Sequence, residues 1–403
     1  MATLFWICLG LVLFSLAGYP VVLAFWEALR EIAAGARYVT GTGERRVRRQ
    51  RDAWPSVTIV VAAYDEESCI GQKIENCLSL DYPADKLEVL VGCDGCDDRT
   101  AEMARSSQDA RVFVHELTPR SGKASVLSRL VPMARGDLVV LTDANVHFER
   151  EALQALVRRF QDPAVGAVVG RLRLYNRVKR NYEESAYWRY ETFLKFVEGK
   201  HGCVVGANGG IYAIRRLLFG PLSPKTIVDD FVIPARIAAR GWKVPYEPEA
   251  VAWEETTEDY RKEFGRRARI GAGNWQSLAL VPELLDPRSG FLFFAFVAHK
   301  LLRWATPFLL ALALAANTAL AVRSRPYAVL LVGQAAFYLL ALVGWSGVAW
   351  RGQRIASMVY YFVSMNLALA VGFFRFLFRT QRAAWKRTER VPGPGPKPDV
   401  RAA

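Results

Sequence analysis

An apolar run from Thr3 to Leu29, with a single charge near its end, opens the chain, and three more follow late, at roughly 291–322, 327–350 and 355–378. About 20 apolar residues in succession suffice to cross the hydrocarbon core of a bilayer. Whatever folds between these runs is therefore held at a membrane. The first run is too long for the core of a signal peptide and lacks a clear small-residue cleavage site, so it reads as an anchor that is kept. The basic cluster GERRVRRQR (43–51) follows it directly. By the positive-inside rule that cluster is cytoplasmic, which places the N-terminus outside and the next domain inside.

Within the first late run, His299, Lys300, Arg303 and Pro307 interrupt the apolar pattern. They predict an amphipathic interfacial helix over about 289–303 leading into a span over about 304–322. Three spans after a cytoplasmic domain carry the C-terminus outside, whereas the basic tail favours the inside; a late segment lying in the interface reconciles the two. The expected organisation is an N-terminal transmembrane helix (1–30), a cytosolic domain (52–285), an interfacial helix with C-terminal transmembrane helices (289–378), and a basic, disordered tail (379–403). The expected location is the inner, cytoplasmic membrane, crossed several times.

The formal net charge is +14 over 403 residues. Because the positive charge gathers beside membrane segments and in the tail, anionic lipid headgroups account for it, and no nucleic-acid partner is expected. Cys93 and Cys96 form a lone CxxC without a second pair or a histidine at finger spacing, which argues against zinc. The six cysteines fit reduced thiols.

Between the anchors, VTIVVAAY (57–64), LEVLVGCD (87–94), RVFVHEL (111–117) and DLVVLTDA (137–144) read as buried strands. Helical stretches over 66–80, 98–107 and 122–134 separate them. Alternation of this kind predicts a parallel sheet covered on both faces, with ligands beyond the carboxyl ends of its strands. Asp65, Asp94 and Asp143 fall at those ends. From about 165 the pattern loosens into a strand, then a helix over 181–199 with Tyr182, Ala186, Tyr190, Phe193 and Val197 on one stripe. The Gly-rich string 202–216, a helix over 228–240, a strand and loop, and the Arg-rich helix FGRRARIGAGNWQ (264–276) complete the domain.

Three acidic stations stand out. Asp143-Ala144-Asn145 offers hard oxygen ligands that can hold a divalent cation against a diphosphate, or a cap for the following helix. Asp94 suits a hydrogen bond to a base or sugar, and equally a turn. Asp229-Asp230 are adjacent carboxylates that raise one another's pKa, which suits a general base; at a helix start they also complement its dipole. Lys123 begins a helix and can meet phosphate or base, or can simply be solvated, while the Walker spacing is absent. Arg266, Arg267 and Arg269 can neutralise a leaving diphosphate or face lipid headgroups.

Together, in this order, the strings resemble the membrane-integrated family 2 glycosyltransferases, the group that includes cellulose, chitin and hyaluronan synthases. The resemblance runs from about Val57 to Gln276 and extends to the flanking spans. It implies an α/β fold: a GT-A-type nucleotide-sugar-binding domain with a mixed, mainly parallel sheet, flanked by transmembrane helices. It assigns Ala63, Tyr64 and Glu67, within AAYDEE, to the nucleotide-binding loop, and Asp94 to the uracil side. Gly122-Lys123 resembles the family's GK element. Asp143-Ala144-Asn145 resembles its DxD motif with Asn in place of the second Asp, so Asp143 and Asn145 become the expected ligands of Mg2+ or Mn2+. Asp230 becomes the catalytic base, GANGG (206–210) the acceptor-side loop, and Arg267 and Arg269 the phosphate-facing arginines. One departure stands out: where processive members carry QxxRW, Arg266 replaces Gln and Ile270 replaces Trp. That removes an aromatic surface linked to processive elongation.

The implied activity is inverting transfer of a sugar from a UDP-sugar to a growing polysaccharide or a lipid-linked acceptor, with membrane lipids and other polysaccharide-export components as partners. Alternatives are non-processive transfer of a single sugar to a membrane lipid, a GT-A-like nucleotidyltransferase, and a non-catalytic membrane scaffold.

Overall fold

The computed structural model describes residues 1–40, 54–176, 181–182, 186–255, 260–346 and 353–382. The basic cluster at 43–51 and the tail from 383 lie outside the described residues. Those described fall into two compact units: 1–24 with 260–279 and 293–381, and 25–255 with 280–292.

Helices α1 (Ala2–Leu13) and α2 (Tyr19–Val39) run on from one another through a π-helical turn at Phe14–Gly18. The second unit then alternates strand and helix: β1 (Val57–Ala63), α3 (Ile70–Leu78), β2 (Leu87–Asp94), α4 (Thr100–Arg105), β3 (Val112–Leu117), α5 (Lys123–Met133) and β4 (Leu138–Asp143). All seven residues of β1 are buried. Each fully buried Val or Ile contributes roughly 1.5–3 kcal/mol, so this run holds its place at the middle of the sheet. On one face its alternate residues Val57, Ile59, Val61 and Ala63 join Ile70, Ile74 and Cys77 of α3 in the core.

The order of strands is β3-β2-β1-β4-β8-β6-β9-β5, with β7 (Asn181–Tyr182) beside β6. Here β5 is Val146–Phe148, β6 Ala167–Asn176, β8 Tyr212–Arg215 and β9 Tyr246–Glu255. Strands β3, β2, β1 and β4 are parallel, as the alternation predicts. Ala62 pairs with Asp143 and Ala63 with Cys93, so Asp94 and Asp143 reach the same carboxyl-end edge. Strand β8 runs antiparallel to β4, with Leu141 opposite Tyr212. Its leading end therefore lies beside the trailing end of β4, which delivers the loop before it to Asp143. The sheet is mixed and mainly parallel, as the resemblance implies.

Helices α6 (Ala152–Arg158), α7 (Ala186–Lys200) and α8 (Asp229–Ala239) complete this unit. The stripe expected on α7 matches its buried face only in part. Phe193 is exposed, while Glu191, Lys195 and Glu198 are buried together with Leu194 and Val197. Tyr182 belongs to β7 rather than to the helix.

The other unit is helical: α9 (Tyr260–Leu280), α10 (Phe291–Ala295), α11 (Leu302–Ala321), α12 (Arg325–Ser346) and α13 (Gln353–Leu377). Residues 291–321 form one continuous run through a π-helical turn at Phe296–Leu301, with no break between an interfacial helix and a span. Four helices among the described residues are long and apolar enough to cross a membrane: Ala2–Val39, Phe291–Ala321, Arg325–Ser346 and Arg354–Leu377. Small residues let α9 meet α13 closely, since a Cβ on Gly372 would stand 2.6 Å from the Ala268 carbonyl oxygen. Trp275 of α9 packs edge-on against Phe373 at 5.1 Å between ring centres.

Candidate active site

A cluster of charged side chains lies beyond the carboxyl ends of β1, β2 and β4. Lys123, the first residue of α5, places its Nζ 2.6 Å from Asp143 Oδ1 and 3.4 Å from Asp229 Oδ2. Burial pulls the Lys123 ammonium down, but Asp143, Asp229 and Asp230 together outweigh it and hold its pKa above the ordinary lysine value. Lys123 is thus a fixed cation beneath three carboxylates.

Asp229 and Asp230 begin α8, where the free backbone N–H groups of the first turn favour negative charge. Asp229 is buried. Burial first, and the neighbouring Asp229 charge second, push the Asp230 carboxyl up to about 6, against the opposing pull of Lys123. A carboxylate with that pKa is ionised at neutral pH yet basic enough to take a proton.

The glycine-rich loop closes the cluster. Ala207 N–H donates to the Asp230 carbonyl at 2.9 Å, which ties the loop to α8. A Cβ on Gly209 would stand 3.0 Å from Asp143 Oδ2, 3.4 Å from Lys123 Nζ and 3.6 Å from Asp230 Oδ2. A residue without a side chain lets the backbone pass among these three groups with none of them displaced. Lys195, from the buried face of α7, donates from Nζ to Asn208 Oδ1 in the same loop.

Asp94 is fully buried and faces the loop before Lys123. Its Oδ1 accepts from Ser121 N–H at 2.7 Å and Ser121 Oγ at 3.1 Å, and its Oδ2 accepts from Gly122 N–H at 2.8 Å. The carboxylate therefore fixes the approach to Lys123. Nearby, the Arg120 guanidinium stacks on the Tyr64 ring at 3.3 Å. Ala63 ends β1, fully buried, and its carbonyl faces Cys96 Sγ at 3.6 Å. Glu67 turns toward the β2–α4 loop, where its Oε2 accepts from Arg99 N–H at 3.3 Å.

Asn145 lies two residues past Asp143, and its Nδ2 donates to Glu254 Oε1 at 3.3 Å. Asp143, Asn145 and Glu254 thus offer oxygen atoms at and just past the end of β4. The set fits a hard divalent cation, which takes one or two protein carboxylates and completes its shell with phosphate oxygens and water.

The structure thus brings Asp94, Lys123, Asp143, Asn145 and Asp230 to one edge of the sheet. Arg267 and Arg269 lie on α9, in the helical unit, where Arg267 Nε donates to Glu263 Oε1 at 2.6 Å. Reading the sequence missed Lys73, Lys195, Tyr212 and Glu254. Lys73 had a signal, since it shares the 3.6-residue phase of Ile70, Ile74 and Cys77. The Tyr212 hydroxyl is buried without a hydrogen-bond partner among the described residues, and burial, then Asp229, Asp230 and Asp143, raise its pKa.

Parallel strands that end at a lysine–carboxylate cluster, continued by antiparallel strands carrying a glycine-rich loop, are the layout of a GT-A-type transferase. The chain belongs to the glycosyltransferase like family 2, whose model matches residues 55–273. It is 27% identical over 251 residues to the probable glycosyltransferase YdaM of Bacillus subtilis, a match covering 58% of this chain and 59% of that protein. To the poly-beta-1,6-N-acetyl-D-glucosamine synthase of Staphylococcus aureus it is 25% identical over 273 residues, covering 64% of this chain and 65% of the synthase. The matches thus span about three-fifths of these relatives' lengths. Among solved structures, the mannosyltransferase PcManGT from Pyrobaculum calidifontis, in complex with GDP-Man and Mn2+, superposes with a TM-score of 0.67 at 26% identity. That match covers 93% of this chain and 99% of the other.

Proposed function

We propose that this glycosyltransferase moves a sugar from a nucleoside diphosphate sugar to an acceptor hydroxyl at the cytoplasmic face of the inner membrane, with inversion at the anomeric carbon. The observation that carries the proposal is the convergence of Asp143, Asp229 and Asp230 on Lys123, with Gly209 threaded between them. Asp230 takes the acceptor proton. The acceptor oxygen then bonds to the anomeric carbon as the bond from that carbon to the diphosphate breaks, and the nucleoside diphosphate departs with the electron pair. Lys123 faces the charge that develops on the leaving group. Asp94 holds the loop that aims Lys123, and Tyr64 with Arg120 forms a surface for the base. Ala63 and Glu67 shape the same wall.

Asp143 and Asn145, with Glu254 beside them, would hold Mg2+ or Mn2+. A bound divalent cation supplies Lewis-acid neutralisation of the diphosphate. Asp143 meanwhile keeps Lys123 in place, and Lys195 keeps Asn208 and its loop against Asp230. Arg267 and Arg269 belong to the helical unit, and their phosphate-facing role rests on the motif alone.

A UDP-sugar donor and a polysaccharide or lipid-linked acceptor follow from the synthase resemblance, supported by the poly-N-acetylglucosamine synthase among the relatives. A second reading, a GDP-sugar donor, is favoured by the GDP-Man complex of the similar mannosyltransferase. Ile270 at the Trp position favours single or short transfer over long elongation. Membrane lipids and export components remain the expected partners.

The test incubates the full chain in lipid nanodiscs with Mn2+ and a panel of labelled UDP- and GDP-sugars, sizes the product and identifies the nucleotide released. Release of UDP or GDP with a labelled glycan or glycolipid supports the reading. Transfer of the nucleotidyl group, with release of sugar 1-phosphate in place of UDP or GDP, would make the protein a nucleotidyltransferase and sink it.

A further inference from the structure

Helix α3 carries a lysine where an apolar residue is expected. Lys73 is fully buried between Ile70, Ile74 and Cys77, and no acid is ion-paired with it among the described residues. Such a group persists only where its hydrogen bonds are made elsewhere. Its Nζ donates to the Val146 carbonyl at 2.6 Å and to Thr142 Oγ1 at 3.1 Å, and it stands 4.0 Å over the centre of the Phe148 ring. All three contacts come from 142–148, the stretch that brackets Asp143, Ala144 and Asn145. One amine therefore closes the turn that carries the candidate cation ligands.

The same amine reaches the acceptor-side loop through one more bond. Thr142 Oγ1 lies 2.7 Å from the Gly210 carbonyl oxygen, against 3.4 Å from that of Asp143. A carbonyl can only accept, so Thr142 donates to Gly210 and must accept from Lys73. The polarity of the chain Lys73 to Thr142 to Gly210 is thus fixed. Gly210 adjoins Gly209, the residue that runs between Asp143, Lys123 and Asp230.

We propose that Lys73 is a positioning residue for sugar transfer: its Nζ clamps the Asp143–Asn145 turn and, through Thr142 Oγ1, sets the register of the Gly209 loop against that turn. The proposal rests on the transferase reading above. Lys73 touches neither donor nor acceptor; it acts through the groups that do.

The experiment uses the full chain in nanodiscs and follows Mn2+ by electron paramagnetic resonance in the presence of UDP and of GDP, alongside kcat, KM and thermal unfolding. Lys73→Met keeps the bulk of the side chain and removes its donors. It is expected to raise the Mn2+ half-saturation and to lower kcat, each about tenfold, the scale seen for groups that orient metal ligands. Thr142→Val removes the branch to Gly210 together with the Lys73–Thr142 bond, and leaves Lys73 bonded to the Val146 carbonyl. It is expected to lower kcat several-fold while Mn2+ half-saturation stays at the wild-type value, a split that loss of packing alone would not give. Wild-type kcat and Mn2+ half-saturation in Lys73→Met overturn the proposal. Where Lys73→Met does not fold, a Thr142→Val chain with wild-type kcat overturns it. A wild-type chain that binds neither nucleotide with Mn2+ brings down the transferase reading itself, an outcome distinct from either.

Discussion

The two halves of the sheet are built by different rules. In the parallel half, β3-β2-β1-β4, strands are apolar almost throughout, each connection returns over a face, and the working residues sit at strand ends by register. In the other half, β8-β6-β9-β5, antiparallel and parallel pairs mix, and the ladder between β6 and β9 shifts register between Gly170 and Arg171. Working residues there come from the loop before β8 and the start of α8. We read the first half as the donor side and the second as the acceptor side. The site is a seam between them: Lys123 and Asp143 come from one half, Gly209, Asp229 and Asp230 from the other.

That division makes separable predictions. The largest effect belongs to the acceptor half. Asp230→Asn should lower transfer by about 10²–10⁴-fold, the usual contribution of a general base, while donor affinity by titration calorimetry stays near wild type. Loss of donor binding in the same variant would break the division. Next comes Gly209→Ala. Its methyl group would stand 3.0 Å from Asp143 Oδ2, and the loop must shift to admit it. Misplacement on that scale should lower kcat about 10- to 100-fold, with a smaller rise in donor KM by steady-state assay.

The donor half should answer in the opposite sense. Asp94→Asn offers one acceptor oxygen where the carboxylate uses two, so the Ser121–Gly122 loop loses part of its anchor. Hydrogen bonds to charged groups contribute about 1.5–3 kcal/mol, so donor affinity should weaken about tenfold or more, with kcat changed less. A variant that lost kcat but kept donor affinity would move Asp94 to the other half.

The smallest effect is a pH limb. Asp230 must be ionised to accept a proton, and its carboxyl sits at about 6. The kcat profile should therefore fall toward acid, reach half its plateau near that pH, and lose the limb in Asp230→Asn. Stability runs the other way. The fold raises this pKa, so it disfavours the charged form, and stability present at low pH is lost as pH rises through about 6. Asp230→Asn should then melt higher than wild type at pH 8, with the difference narrowing as pH falls through about 6 and closing only below the ordinary carboxyl value of 3.8.

Much of the donor half was legible in the sequence because its strands are continuous β-branched runs whose ends show as Asp94 and Asp143. Order along the chain also exposed Asp230, since two acids before an apolar helical stretch mark a helix start. The direction of β8 was not legible: a short apolar strand of four residues carries no sign of its partner, and only pairing with β4 turns it antiparallel. The face of α7 was misread in part because its buried side carries the charged residues Glu191, Lys195 and Glu198, of which Lys195 is held by Asn208 of the glycine-rich loop. The continuity of 291–321 was hidden because His299, Lys300 and Pro307 look like a break, yet a π-helical turn and a helix interior accommodate them.

The antiparallel pairing of β4 with β8 also bears on how the protein is made. As the chain leaves the ribosome, β1 to β4 can assemble and Lys123 can meet Asp143 while one edge of β4 still lacks its neighbour. That edge stays open until Tyr212 has emerged, and an unpaired edge invites wrong partners. A nascent chain already tethered through α1 would spend this interval beside the bilayer with its donor half built and its acceptor half unsynthesised.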